Sequence, residues 1–366
     1  MLFIAVYLLV SLGIVMTYSA SAIYADQAFK SPTYFLRRQL LYVVIGTFCL
    51  FFVAGRDPYV CKEHVREILI VSFILLAIVL VPVFGHQAGG ARRWIRLGLV
   101  NFQPAEISKL AVCLYLSDYL SRRIKGIQRG EFSVLLPPVL ILVLTCGMIL
   151  LQPDLGSSVF IFLVAAILFF LAGLRMRYVL AASAIFLPAV YFLVVRIPYR
   201  LNRVTAYLNP WNDPQGSGFQ IIQSLLAFGM GGMRGVGLGA STQKLFYLPQ
   251  SYNDFIFSII GEELGLIGTF LVLFLYGAIL VSGLRIAQRA RGNYEKFFVI
   301  SLVLLVVLQA MINMLVATGL IPTKGLPLPF ISYGGSSMIF NLLAVGLLLA
   351  MDRTIQSGRG PLRGMG

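Results

Sequence analysis

"LPQSYNDFIFSIIGEELG", residues 248–265, runs from a polar stretch through Asp254 into the apolar Phe255-Ile256-Phe257 and then meets two adjacent acids, Glu262 and Glu263. How this stretch is read decides the fold. A surface helix carries acids freely, whereas a segment entering a bilayer needs a reason for each one. Asp and Glu together number 14 in 366 residues, and the chain beyond Gly265 continues almost wholly apolar. The stretch therefore reads as the entry of a membrane span.

The rest of the composition agrees. Hydrophobic residues make up 59% of the chain, charged residues 12%, and mean hydropathy is +0.88, which excludes an ordinary soluble domain. Apolar stretches long enough to cross about 30 Å as helices recur along the chain, without the ten-residue alternation of an outer-membrane barrel. They predict an all-α polytopic protein with ten spans, at about 2–21, 38–54, 67–84, 104–120, 133–151, 156–172, 178–196, 260–282, 297–319 and 336–351. The expected organisation is one membrane domain over 1–366. "YSASA" at 18–22 resembles a cleavage site, but no Lys or Arg precedes the long first apolar run, so it reads as a span.

Ten spans put both termini on one side. Loops on that side carry more Lys and Arg in about half the length of the opposite loops, so both termini are expected in the cytoplasm. The net charge of +15 suits a border of anionic lipid. Outer arginines are less easily explained by topology. Arg37, Arg38, then Arg92, Arg93 and Arg96 in "GGARRWIRLG", and Arg196, Arg200 and Arg203 fall where the positive-inside rule disfavours them. They suit either lipid head groups or a phosphate or pyrophosphate ligand outside the membrane.

The segment 196–260 is the longest loop, with turn formers in "NPWNDPQGSGFQ" (209–220) and then "IIQSLLAFGMGGMRGVGLG" (221–239), read as a short interfacial or re-entrant helix ending in glycines. No strand precedes the glycines and no Gly-Lys-Ser/Thr closes them, so they suit tight backbone packing or a close-lying substrate rather than a nucleotide. "IPTKGLPLPFISYGGSS" (321–337), with three prolines, reads as a rigid cap at the mouth of a cavity. The cysteines (Cys49, Cys61, Cys113, Cys146) have neither zinc nor disulfide spacing and are expected to pack.

Lys109 is the one Lys or Arg well inside an expected span. It lies three residues after Glu106 in "FQPAEISKL", on the same helix face, and Pro104 suits the first turn. The pair is either functional or a lock between spans. Asp154 in "LQPDLGSS" suits a helix cap. Glu262 lies about 80° round a continuous helix from Asp254 and Glu263 points away, so at most one shares a face with it and the other is tied to a neighbouring helix. Asp254 itself is either an N-cap or a general base beside the outer arginines. With only His64 and His86, at different depths, no His triad or multi-His metal site is available.

These motifs, together with "VMTYSASAIY" (15–24), "FLRRQLLY" (35–42), "ARRWIRLGLVNFQPAEISKLA" (91–111) and "GLIPTKGLPLPFISYGGSSM" (319–338), resemble in content and order the SEDS family (shape, elongation, division and sporulation) over nearly the whole chain. The resemblance implies a peptidoglycan glycosyltransferase in the bacterial cytoplasmic membrane, polymerising lipid II on the outer face by inverting transfer. Asp254 matches the catalytic aspartate of the family's "HTDFIF" element, with Tyr252-Asn253 in place of His-Thr. Arg38, Arg93 and Arg203 match pyrophosphate-holding positions. Glu106 and Lys109 match cavity charges, and Glu262, Glu263, Asp154 and Ser336 match supporting positions. No cofactor is assigned, and a divalent cation, Mg or Mn, at the pyrophosphate is the one candidate. The implied partners are lipid II, undecaprenyl-pyrophosphate-linked glycan, a class B penicillin-binding transpeptidase and other membrane proteins of the division or elongation machinery. Within the family the motifs look more like the division (FtsW) type than the elongation (RodA) type. A lipid II flippase and a non-catalytic scaffold for the transpeptidase are the alternatives; against transport, the long loop after span 7 has no counterpart in the first half.

Overall fold

The computed structural model describes residues 1–88, 91–98, 100–196, 198–244, 252–323 and 325–358. Residues 248–251 of the opening stretch and Lys324 lie outside these, as does the side chain of Arg200. In chain order the elements are α1 (Leu2–Phe29), α2 (Tyr34–Ala54), α3 (Val60–Glu63), α4 (Val65–Leu80), β1 (Gly85–Ala88), β2 (Ala91–Leu97), β3 (Val100–Phe102), α5 (Pro104–Arg129), α6 (Phe132–Leu151), α7 (Leu155–Leu171), α8 (Met176–Val195), α9 (Pro198–Leu208), a 3-10 turn (Pro210–Asn212), α10 (Phe219–Gly231), α11 (Ile256–Arg289), α12 (Asn293–Ala317) and α13 (Gly335–Gln356).

Each expected span falls on a helix. Among the described residues six helices (α1, α2, α6, α11, α12 and α13) are long and apolar enough to cross a membrane. The others fall short for local reasons. α4 has 16 residues and α7 has 17, α8 is apolar over Met176–Pro188, and α5 carries Glu106, Lys109, Asp118 and a basic last turn. Phe48 on α2 and Val143 on α6 are exposed at 71% and 65%, as lipid-facing side chains are.

The expectation of an all-α chain needs one correction. Residues 85–102 form a three-stranded antiparallel sheet in the order β1-β2-β3, pairing Ile95 with both Gly85 and Phe102. Trp94, Ile95, Val100 and Phe102 are strand formers, and Gly98 turns the chain at φ 62°. Reading "GGARRWIRLG" for its charge alone missed them.

The chain divides into two compact units: Met1–Val43, Ala181–Ile279 and Gln309–Gly334 form one, and Val44–Leu180, Leu280–Leu308 and Gly335–Gly366 the other. In the second unit α5 packs against α4, α6 and α7, and its buried face carries Leu110, Leu114, Leu116 and Leu120. In the first unit the core includes Val6, Leu9 and Met16 of α1, Ile259, Ile260 and Val272 of α11, and Ile331 of the proline-rich loop.

Candidate functional site

The first unit contains Asp254. It lies half-buried in the turn 252–255 that leads into α11, two residues before the helix begins at Ile256. Three successive carbonyls of this turn are held from the loop 321–334 and α12. The Tyr333 N–H donates to the Tyr252 carbonyl at 3.0 Å, the Ser332 hydroxyl to that of Asn253 at 2.6 Å, and the Asn313 Nδ2 to that of Asp254 at 3.0 Å. A Cβ added at Gly325 would meet one atom within 4 Å, the Asp254 Oδ2 at 3.6 Å. The carboxylate therefore lies over a residue without a side chain, and Gly325 itself is exposed.

The buried carbonyls of the loop that faces the turn are taken by side chains, as backbone away from water requires. Asn313 also donates to the Leu326 carbonyl at 2.8 Å, Gln309 to Pro327 at 2.9 Å, Thr17 to Ile331 at 3.3 Å and Gln39 to Ser332 at 3.3 Å. The Tyr276 hydroxyl donates to Pro329. Gly13 of α1 permits this packing, since a Cβ there would come within 2.4 Å of the Phe330 carbonyl oxygen. The loop expected to be a cap is thus held at several points of its backbone. Asn313, Ser332, Gln39 and Gln309 were not singled out from the sequence. Lone polar residues in or beside apolar helices were the available signal.

Two of the expected arginines come to this loop. Arg203 on α9 donates to the Thr323 carbonyl at 3.3 Å. Arg38 on α2 sits over the Tyr34 ring at 4.9 Å and donates to the Tyr333 hydroxyl. Tyr252, which stands where the family has His, packs into an aromatic group with ring centroids 4.6 Å from Phe35, 5.8 Å from Tyr24 and 6.0 Å from Tyr333. Burial first, then Tyr24 and the Asp254 charge, push its phenol up to about 12. It is neutral at physiological pH.

Glu262 and Glu263 are both buried, at 0% and 1% exposure. Glu262 accepts from the Thr242 N–H at 2.8 Å and its hydroxyl at 3.0 Å, from the Gln243 N–H at 3.4 Å, and from the Ser241 hydroxyl. Glu263 accepts from Ser19 of α1 at 2.6 Å and pairs with Lys244 at 3.1 Å. The tie to a neighbouring helix was expected for one of them; the structure gives each carboxylate its own set of partners. Just beyond, α11 is broken at Gly265, at φ 67° and ψ −161°. The chain leaving α10 fills the break. The Val236 and Gly237 N–H groups donate to Glu262 and Glu263 carbonyls at 2.9 and 3.0 Å, and Leu266 N–H donates to Gly232 at 2.9 Å. A Cβ at Gly231 would fall 1.9 Å from the Gly261 oxygen, and one at Gly235 2.2 Å from that of Glu263. The glycine run serves the tight backbone packing expected of it.

The second unit contains Arg93, Glu106, Lys109, Asp154 and Ser336. Lys109 and Glu106 form an ion pair at 2.7 Å, both nearly inaccessible, with the ammonium 5.4 Å from the Phe160 ring centroid. Pro104 opens the helix and Glu106 sits in its first turn, as expected. Asp154 caps α7, accepting from the Ser157 N–H at 3.1 Å and hydroxyl at 2.9 Å. Ser336 bridges the sheet to α13, accepting from Gln103 N–H at 2.8 Å and donating to the Asn101 carbonyl at 2.9 Å. Arg93 donates its Nε–H to the Gln152 carbonyl at 3.0 Å and an Nη to that of Pro153. Two of its five N–H donors are thus engaged on the turn that ends in Asp154. All four cysteines are free thiols, with Cys113 and Cys146 buried. Among the described residues no group of three or more His, Cys, Asp or Glu could hold a metal ion.

A helical chain with six bilayer-length apolar segments among its described residues, and a buried ion pair at one of its helix starts, is a multi-pass membrane protein. The family is shown by comparison. Residues 1–357 match the FtsW/RodA/SpoVE cell cycle protein model, and the chain belongs to that family. It is 43% identical over 354 residues to stage V sporulation protein E of Bacillus subtilis (strain 168), covering 96% of each chain. It is 45% identical over 350 residues to a probable peptidoglycan glycosyltransferase FtsW of Geobacter sulfurreducens, covering 94% of this chain and 92% of that one. Among solved structures, it superposes with a TM-score of 0.79 and 30% identity, over 97% of both chains, on a chain from work on structural coordination of polymerization and crosslinking by a peptidoglycan synthase complex. The Thermus thermophilus rod shape determining protein RodA gives a TM-score of 0.71 at 27% identity, over 96% of both chains.

Proposed function

We propose that this chain is a peptidoglycan glycosyltransferase that polymerises lipid II on the outer face of the bacterial cytoplasmic membrane, through ten spans with both termini in the cytoplasm. The observation that carries the reading is the Asp254 turn: a half-buried carboxylate over an exposed glycine, with three backbone carbonyls of its turn tied down. Such a group is preorganised for proton transfer and accessible from one side. The names of the relatives support the reaction, and the long segment 196–260 supports an outward site.

In the reaction, Asp254 takes the proton of the acceptor GlcNAc 4-hydroxyl as that oxygen attacks the anomeric carbon of MurNAc. The bond to undecaprenyl pyrophosphate breaks, the anomeric centre inverts, and the electron pair leaves on the pyrophosphate. Arg38 and Arg203 supply cationic contacts to the leaving group. Arg38 and Arg203 are anchored to the loop that faces Asp254. A divalent cation, Mg or Mn, would take its ligands from phosphate oxygens and water, with at most one or two carboxylates, and would neutralise leaving-group charge. The Glu106–Lys109 pair holds the start of α5 against Phe160 of α7. A class B penicillin-binding transpeptidase is the proposed partner, consistent with the pairing of polymerization and crosslinking in the study of the related complex. The division-type motifs, with relatives named FtsW and stage V sporulation protein E, favour septal or sporulation wall synthesis over lateral growth.

The transport alternative would draw on an interrupted helix. At Gly265 that interruption is occupied by backbone of residues 232–237, which speaks for structure rather than passage. The deciding assay mixes the purified chain with lipid II and measures polymer. Wild type should make glycan strands and Asp254→Asn should be slower by about 10²–10⁴-fold. Polymer from the variant at the wild-type rate would remove the base role. No polymer from either, with the transpeptidase present, would favour transport or scaffolding.

A further inference from the structure

Asn313 lies on α12, is 1% exposed, and its single side-chain nitrogen donates to two carbonyls from distant parts of the chain. One belongs to Asp254, at 3.0 Å, and the other to Leu326, at 2.8 Å. Leu326 follows Gly325, the residue over which the Asp254 Oδ2 lies. The two N–H bonds of one amide therefore fix both sides of the place where the carboxylate meets the loop. We propose that Asn313 is a positioning residue for Asp254: it sets the base relative to the Gly325 backbone and so to the substrate hydroxyl. The proposal rests on the reading of Asp254 as general base.

The chemistry narrows the choice of side chain. Two hydrogens from one nitrogen are needed at the length of an Asn. Asp would turn acceptor oxygens on two carbonyls, Ser keeps one hydrogen, and Gln is longer by a methylene. Gln309, one turn earlier on α12, holds the neighbouring Pro327 carbonyl, so the loop stays attached when Asn313 is changed. Removing Asn313 should loosen the base without detaching the loop. A shift on the order of 1 Å in a reacting group can cost about 100-fold in rate.

The test measures kcat and KM for lipid II polymerisation, per folded protein, in Asn313→Ala, Asn313→Ser and Asn313→Asp. Asn341→Ala is the control, because Asn341 is an equally buried amide, also 1% exposed, that donates to Ser337 at 3.0 Å on α13. The expected result is a fall in kcat of about 100-fold for Asn313→Ala and Asn313→Asp, less for Asn313→Ser, with KM within about threefold. Asn341→Ala should lose thermal stability while keeping kcat within about threefold. The proposal is overturned if Asn313→Ala and Asn313→Ser both keep wild-type kcat, if their loss follows the folded fraction alone, or if Asn341→Ala loses as much kcat. Asp254→Asn in the same series separates the two claims. An inactive Asp254→Asn beside a fully active Asn313→Ala sinks the positioning role alone, whereas an active Asp254→Asn sinks the base itself.

Discussion

Asp254 and the pair Glu262–Glu263 stand close together in sequence and belong to one compact unit, yet their surroundings differ in kind. The two glutamates are sealed, with hydroxyls, backbone N–H groups and an ammonium directed at their oxygens. At Asp254 the bonds that fix the turn are made to backbone carbonyls, and the carboxylate lies half-buried over an exposed glycine. Donors spent on a carboxylate hold structure together. Donors spent on the backbone around a carboxylate fix where it stands. The contrast is one of burial and anchoring: the glutamates are sealed supports, and the fixed, half-buried aspartate is the one for which chemistry is proposed.

The contrast can be broken first at the buried charges. Glu263→Ala leaves Lys244 without its acid in the interior, and Lys109→Ala does the same to Glu106. Each should cost about 3–5 kcal/mol, read as a lower unfolding temperature in detergent. Replacing both members of the Lys109–Glu106 pair by Met and Leu should restore most of that loss. A double variant no more stable than either single would show that the pair is needed for more than charge balance.

Gly231 and Gly229, on the same helix, sharpen the account of the sealed region. Gly231→Ala drives a methyl into the Gly261 carbonyl and should cost about 1–3 kcal/mol or more. Gly229→Ala has nothing within 4 Å of the new methyl and should be neutral or stabilising by up to about 1 kcal/mol. Equal effects at the two positions would contradict the close approach of Gly231 to the Gly261 carbonyl.

The smallest effect concerns Asp213. Hydrogen bonds from the Ser217 N–H and hydroxyl hold its carboxyl below the usual carboxylate range. Its folded pKa is depressed, so its contribution to the 213–218 turn is complete above about pH 4 and fades as pH falls through the lower folded value. Asp213→Asn should remove that pH dependence and leave neutral-pH activity unchanged.

Most of the helical frame was legible because apolar runs of bilayer length have few other uses. The Glu106–Lys109 pair and the Asp154 cap were legible because both are local, with partners three residues apart. The sheet at 85–102 was not, since its strands are short and its arginines drew the reading toward charge. Nor were the partners of Glu262, or Asn313 and Ser332. Their bonds join segments far apart in the chain, and no spacing rule connects position 313 to 254 and 326. The different surroundings of the three acids therefore emerged from tertiary contacts rather than from their helical angles.

The most direct measurement is the pH dependence of kcat/KM for lipid II polymerisation in wild type, Asp254→Asn and Glu262→Gln, each per folded protein. The account predicts an acid limb in wild type, where protonating the base stops the reaction, and the same limb in Glu262→Gln despite its lower stability. Asp254→Asn should lose the limb together with about 10²-fold or more of the rate. An acid limb that survives Asp254→Asn, or one that disappears in Glu262→Gln, would contradict it.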